Sequence, residues 1–393
     1  MQAPSIHSGS TGPGRRLVFV IEALTVGGAE RMVVDLANEL SSRGDQVSVV
    51  CLTTRGELAD SLSADVTLSV LHKKSGADVS IVKRLRSLVV SQNATVVNSH
   101  LWTANLWTRL ALFRTGVPVV ATEHNRDIWK RGYNKLIDRL LSHVTARLIA
   151  VSEDTADFYR HDIGVNKDLI TVVNNGVDTR RYAAGNGDKL RAELVSHDEL
   201  LIGTVGRLAE QKNHPRLVHA AAILKARGVP VRVVIAGEGP DRERTEASIL
   251  EHDVADCVTL LGERSDIPDL LAALDVFVLS SDREGHPLSA LEAQSAGTPV
   301  VLTMAGGSAD AIAASSGRSG GVLVEKSPEA IAAAIAELAN DRSRLSNMAS
   351  FASQYAATHF DKQVMIDGYS EIFDQVIARI PPSKTPVGAP ESA

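Results

Sequence analysis

The chain is short of cysteine. Cys51 and Cys257 are the only two in 393 residues, far apart and in no CxxC pair. That excludes a disulfide scaffold or a zinc ribbon and fits a reducing compartment. Aromatic residues make up only 4%, so the cores must be built from Ala, Val, Leu and Ile. No run of about 18 uncharged apolar residues occurs, as a membrane span would need. The leading MQAPSIHSGSTGPGRR lacks the apolar stretch of a secretory signal. A cytoplasmic protein that crosses no membrane is the expectation. Excess positive charge is missing too: the net charge is −6, which argues against nucleic acid as a partner. The 12 histidines form no H-x-x-H, HExxH or clustered Cys/His set, so no protein-bound metal is expected.

What is present is an ordinary folded composition, 44% hydrophobic and 22% charged. At roughly 100–200 residues per domain the length predicts two domains. Charge is unevenly spread: residues 1–180 carry 21 Lys and Arg against 18 Asp and Glu, whereas 181–393 carry 20 against 29.

Short apolar runs alternate with helical patterns. The runs are 17–23, 47–52, 66–71, 95–99, 117–122, 146–152 and 170–173, then 201–208, 231–237, 258–262, 276–280, 299–303 and 321–324. Nearly continuous apolar strands are those covered on both faces of a parallel sheet. Between them Met32, Val33, Leu36, Ala37 and Leu40 fall at helical spacing. This predicts an α/β protein of two Rossmann-like, doubly wound domains facing across a cleft. The expected organisation is a flexible N-terminus (1–15), a first domain (16–180) and a linker (181–199). A second domain (200–360), a closing C-terminal helix (361–380) and a Pro-rich disordered tail (381–393) follow.

In open parallel sheets ligands sit beyond the C-terminal ends of the strands. After the first strand, TVGGAER places Gly27 and Gly28 before a helix, where paired glycines and free N–H groups admit an anion. An ordinary tight turn is the alternative. GRLAEQKNH puts Arg207 and Lys212 in the loop before another helix, two cations suited to a diphosphate or simply solvated. In REGHPLSALEAQSAGTPVV, Glu284 lies past a strand and Glu292 eight residues on, inside a helix starting near Pro287. Two such carboxylates can hold the hydroxyls of two sugar rings, with the N–H groups of Leu288 and Ser289 meeting a phosphate between them. A solvated helix face is the alternative.

Together REGHPLSALEAQSAGTPVV, GRLAEQKN, VVNNGVD and GGAER resemble the retaining glycosyltransferases of family 4, which have the GT-B fold, over roughly residues 16–375. The resemblance implies transfer of a sugar from a nucleotide-diphosphate donor to a hydroxyl acceptor, with anomeric retention. It places Arg207 and Lys212 on the donor diphosphate, Glu284 on the transferred sugar and Glu292 on the nucleotide ribose. The amides of Leu288 and Ser289 fall on the distal phosphate, and Gly27 and Gly28 beside the diphosphate and acceptor. His124, in VVATEHN, corresponds to a histidine near the reacting sugar. His100 lines the acceptor side or serves as a structural histidine, and His124 has the same structural alternative. Asp178 reads as a turn or hinge residue. His286 stands where the family carries an aromatic or aliphatic residue, and Asp310 where it more often has Glu.

No cofactor or metal is expected, the partners being the nucleotide sugar and a lipid-linked or saccharide acceptor, in cell-surface polysaccharide or glycolipid synthesis. Residues 125–147 read as a basic amphipathic helix. Arg126, Lys130, Arg131, Lys135, Arg139 and Arg147 would flank an apolar stripe of Ile128, Trp129, Leu136, Ile137, Leu140 and Leu141. Such a helix suits an anionic membrane surface, or packs on the sheet with a solvated basic edge. A sugar-nucleotide epimerase and a non-catalytic sugar-nucleotide-binding protein are the other two classes this chemistry admits.

Overall fold

The structure is a computed structural model that describes residues 14–127, 129–195 and 199–379. Seven parallel-type strands make the first sheet: β1 (Arg16–Ile21), β2 (Gln46–Cys51), β3 (Thr67–Val70), β4 (Val96–His100), β5 (Val119–Glu123), β6 (Arg147–Ala150) and β7 (Ile170–Val172). Their spatial order is β3-β2-β1-β4-β5-β6-β7. The second sheet is built from β8 (Leu200–Val205), β9 (Val231–Ala236), β10 (Val258–Gly262), β11 (Val276–Leu279), β12 (Val300–Thr303) and, after a small hairpin of β13 (Ala314–Ser315) and β14 (Arg318–Ser319), β15 (Gly321–Val324). Its order is β10-β9-β8-β11-β12-β15. Every apolar run expected as a strand is one; in the central strands Leu17 to Ile21 and Leu200 to Thr204 are buried without a break, whereas β3 and β10 are only partly covered.

Helices cover the faces. Gly28–Ser42 buries Met32, Val33, Leu36, Ala37 and Leu40 at the spacing the sequence shows. On the second sheet one core gathers Ile202, Val233, Val276, Leu217 and Ile335, and another gathers Leu201, Phe277, Leu302, Leu291 and Phe360. The helical stretch 328–378 breaks into Pro328–Asn340, Arg342–His359 and Lys362–Ala378. The breaks are capping sites: Asp341 Oδ1 accepts the Arg344 N–H at 2.8 Å and Asp361 Oδ1 the Gln363 N–H at 2.9 Å.

By its contacts the chain divides into two units. One holds the chain up to Thr122, Leu140–Leu148 and from Gly368 onward; the other holds Glu123–Arg139 and Ile149–Asp367. Of residues 181–199, expected as a linker, the described stretch 181–195 carries the end of helix Thr179–Ala183 and helix Asp188–Leu194 within the second unit. They are packed because Tyr182 is buried and Gly185 and Gly187 lie directly on the backbone of Pro268 and Ala273. The expected tail 381–393, and 1–15 apart from Gly14 and Arg15, lie outside the described residues.

Both cysteines are free and buried, and burial pushes the Cys51 thiol up to about 11. Among the described residues no helix is long and apolar enough to cross a membrane.

Candidate functional site

The strand order of the second sheet reverses between β8 and β11, which run side by side with Ile202 opposite Val276 and Gly203 opposite Phe277. Diverging connections at such a point open a crevice at the strands' C-terminal ends. Arg207 and Lys212 follow β8, and Glu284 follows β11. The two loops are stitched together. The Asp282 N–H donates to the Gln211 carbonyl at 2.7 Å, and the Ser280 hydroxyl is shared between the carbonyls of Lys212 and Asn213 at 3.0 Å. Arg216 reaches back to the Ser280 carbonyl and to Asp282, each at 2.6 Å.

This stitching brings Lys212 onto Glu284. The ammonium donates to Glu284 Oε1 at 2.7 Å, and the Ser281 hydroxyl donates to the same oxygen at 2.6 Å. The Glu284 backbone is held on both sides: its N–H donates to the Ala305 carbonyl at 2.6 Å and its carbonyl accepts the Gly307 N–H at 3.0 Å. Arg207 is exposed, with no partner among the described residues. Its neighbour Leu208 is pinned by backbone bonds to Glu238 and Asp241. Gly237 permits this: at φ +136° a Cβ there would come within 1.9 Å of the Gly206 carbonyl oxygen.

Helix Leu288–Ser295 begins directly after this loop, with Pro287 extended at its N-cap. The N–H groups of Leu288 and Ser289 open the helix and have no carbonyl a turn earlier to bond, so they present its positive end. Glu292 projects from the helix and accepts the Tyr182 hydroxyl at 2.6 Å.

His124 is buried in the second unit, with its backbone oxygen pressed against Gly285, where a Cβ would come within 1.7 Å. His286 is also buried. Its Nε2 lies 3.2 Å from the Asp310 carbonyl, and its own carbonyl accepts Asn175 Nδ2 at 2.9 Å. The Asp310 carboxylate in turn accepts the Glu153 N–H at 2.7 Å. Burial pushes His124 down to about 3 and His286 to about 4; for His214 burial, with Lys212 nearby, gives about 4.

All three imidazoles are therefore neutral near pH 7. Below about pH 6.5 the unfolded chain takes up protons that the folded one refuses, so stability falls with pH by about 1.4 kcal/mol per unit for each histidine. The loss runs from there down to the folded-state values. Urea midpoints should drop between pH 7 and pH 5, and His286→Asn should remove about one histidine's share of that drop. An unchanged pH slope would contradict the burial argument.

The first sheet reverses between β1 and β4. Gly27 and Gly28 follow β1, and His100 ends β4. Gly27 caps helix Gly28–Ser42 in an extended conformation, φ −171°, and Gly28 is exposed. His100 is fully buried, with Nε2 2.8 Å from Asn98 Oδ1 and its ring 5.9 Å from Phe19. In this structure it packs as the structural histidine, the other of the two readings. Asp178 caps helix Thr179–Ala183 and pairs with Lys362 at 2.9 Å.

The segment 125–147 is not one helix. Only Gly132–Ser142 is helical, and Ile128 lies outside the described residues. Lys130 and Arg147 are buried rather than part of a basic face. Trp129, Tyr133, Leu136 and Leu140 form an exposed stripe beside exposed Arg131 and Arg139. Among the described residues no three His, Cys, Asp or Glu side chains are grouped to hold a metal.

Sequence reasoning missed Ser281, Tyr182 and the Gly237 loop. Ser281 lay beside a strand end that was legible, and the glycines of AGEGP are a visible turn signal. Tyr182 had none, since 110 residues separate it from Glu292.

Residues 26–181 match the family model described as Glycosyltransferase Family 4, and 187–355 the one described as Glycosyl transferases group 1. The chain belongs to the group 1, family 4 glycosyltransferases. This glycosyltransferase is 29% identical over 295 residues to a UDP-Gal:alpha-D-GlcNAc-diphosphoundecaprenol alpha-1,3-galactosyltransferase of Escherichia coli, covering 70% of this chain and 76% of that one. It is 27% identical to a D-inositol 3-phosphate glycosyltransferase of Gordonia bronchialis, over 97% of this chain and 94% of the relative. Its fold matches the crystal structure of Anabaena Alr3699/HepE in complex with UDP, with a TM-score of 0.80 at 21% identity over 92% of this chain and all of that one. The fold is thus two Rossmann-like domains of the GT-B class.

Proposed function

We propose that this glycosyltransferase moves a hexose from a nucleoside-diphosphate sugar to a hydroxyl of a lipid-linked or saccharide acceptor, with retention and without a metal ion. The observation that carries this reading is the Lys212–Glu284 pair at the β8/β11 switch point, next to the free N–H groups of Leu288 and Ser289. As the bond from C1 to the diphosphate breaks, negative charge grows on the leaving oxygen. Arg207, the remaining N–H groups of Lys212 and the two helix amides stabilise it. The bond from the acceptor oxygen to C1 forms on the same face, and the acceptor's proton passes to the departing phosphate oxygen. Glu284 and neutral His124 hold the transferred sugar, and Glu292 the ribose. Gly27 and Gly28 serve the acceptor and the diphosphate. The UDP in the HepE structure and the UDP-galactose of the E. coli relative support a nucleotide-sugar donor.

The acceptor of that relative is a lipid diphosphate by its name, and this favours a role in polysaccharide or glycolipid synthesis at the cytoplasmic face of the membrane. Trp129, Tyr133, Leu136 and Leu140 with Arg131 and Arg139 would rest on anionic lipid. Sedimentation with phosphatidylglycerol vesicles should fall several-fold in a Trp129→Ala, Arg131→Glu variant; equal binding would remove the membrane role.

Incubation with labelled UDP-, GDP- and ADP-sugars and a membrane-lipid extract tests the activity. Label in an acceptor supports transfer. An epimerised donor supports the isomerase, and binding without turnover supports a sensor.

A further inference from the structure

Lys130, which the sequence offers as part of a basic surface, is sealed inside the second unit. Its side chain is 0% exposed, and Nζ lies 2.7 Å from Asp138 Oδ2 and 3.0 Å from Asp127 Oδ2. It also donates to the Tyr159 hydroxyl at 2.6 Å. The contact to Tyr159 is a hydrogen bond, and Asp127 and Asp138 pair with the ammonium by charge. Having accepted from Lys130, the Tyr159 hydroxyl donates its own hydrogen to the carboxylate of Glu123. Glu123 is buried and directly precedes His124. Burial alone would lower the Lys130 ammonium, but Glu123, Asp127 and Asp138 outweigh it and hold it above its ordinary value.

A cluster of one cation and three carboxylates is an expensive way to gain stability, since apolar side chains of similar volume usually do as well. What it supplies is direction. Asp127 and Lys130 belong to the segment that leaves β5, Asp138 to helix Gly132–Ser142, and Tyr159 to the π-helical turn Phe158–Ile163. Together they fix both ends of the stretch that carries His124, whose backbone oxygen packs on Gly285, the residue after Glu284.

We infer that Lys130 and Tyr159 are positioning residues for sugar transfer, holding the Glu123–His124 backbone against Gly285 so that His124 and Glu284 keep one fixed spacing. The inference rests on the transfer activity proposed above and on the role it gives His124. Neither residue need touch substrate; each acts through Glu123.

Tyr159→Phe tests this, because it keeps the ring and removes one oxygen. Relative to wild type, kcat should fall about tenfold, within the range that small misplacements of reacting groups produce. The donor KM and the melting shift caused by UDP should change less than twofold. Amides of residues 123–127 should exchange hydrogen faster. Asp138→Asn, which leaves Lys130 with a weaker partner, should show the same pattern and serves if Tyr159→Phe does not fold. A purely structural role would lower the melting temperature while leaving kcat per folded molecule intact, and that result overturns the inference. If the wild type transfers no sugar, the proposed function fails instead. Hydrogen exchange then decides the positioning claim: unchanged exchange at 123–127 in Tyr159→Phe refutes it, and faster exchange supports it.

Discussion

Lys212→Ala should lower kcat/KM by about thirtyfold to a thousandfold, the loss of roughly 2–4 kcal/mol of transition-state stabilisation that follows removal of one well-placed donor. Lys212 is the cation that the structure places directly on Glu284, 2.7 Å away. Its loop is fixed by the Ser280 hydroxyl and the Asp282 N–H, so the ammonium is aimed before any donor arrives. Preorganisation of this kind is what makes a charge effective as a bond breaks. Glu284 keeps the Ser281 hydroxyl at 2.6 Å in the variant, and its backbone stays tied to Ala305 and Gly307. The fold should therefore survive, and the lost rate should be recovered in part by Lys212→Arg. Steady-state kinetics with the donor identified by the label-transfer assay give the measurement; a rate within twofold of wild type would contradict the diphosphate role.

Gly285→Ala should be nearly as damaging for a different reason. The added Cβ would lie 1.7 Å from the His124 carbonyl oxygen, 2.8 Å from its carbon and 3.0 Å from Asn125 Oδ1. Two of those atoms are backbone, so no side-chain rotation relieves the clash. Either the loop after β11 or the His124 segment must move by about an ångström, and a shift of that size costs on the order of a hundredfold in rate. The overpacking itself should lower stability by about 1–3 kcal/mol. Gly27→Ala is the natural control. At φ −171° any residue is at ease, and its Cβ would come nearest to the far end of the Glu30 side chain, not to backbone. Its stability should stay near wild type, as urea denaturation of both variants would show.

The contrast marks how far the sequence could be read. Strands were legible because continuous apolar runs such as Leu17–Ile21 have one physical outcome in an α/β chain, burial on both faces. From strand positions follow the ends of β8 and β11, and with them the location of Arg207, Lys212 and Glu284. The pairing of Lys212 with Glu284 follows from strand order, which no local pattern reveals. Long-range partners stayed hidden for the same reason: Tyr182 on Glu292 and Tyr159 on Glu123 join pieces of chain that share no periodicity. Lys130 misled because a lysine between Trp129 and Arg131 looks solvated, whereas Asp127, Asp138 and Tyr159 together satisfy it in the interior. His100 stands at a strand end yet is turned into the core onto Asn98, a contact that the strand pattern alone does not reveal.

Calorimetric titration of UDP, GDP and ADP into wild type and Lys212→Ala addresses the diphosphate site without needing the acceptor. One nucleoside diphosphate should bind the wild type and raise its melting temperature by mass action, and Lys212→Ala should weaken that binding about tenfold or more, as loss of a charge-assisted contact to phosphate demands. Equal affinity in the two proteins, or no binding of any of the three to the wild type, would contradict the account.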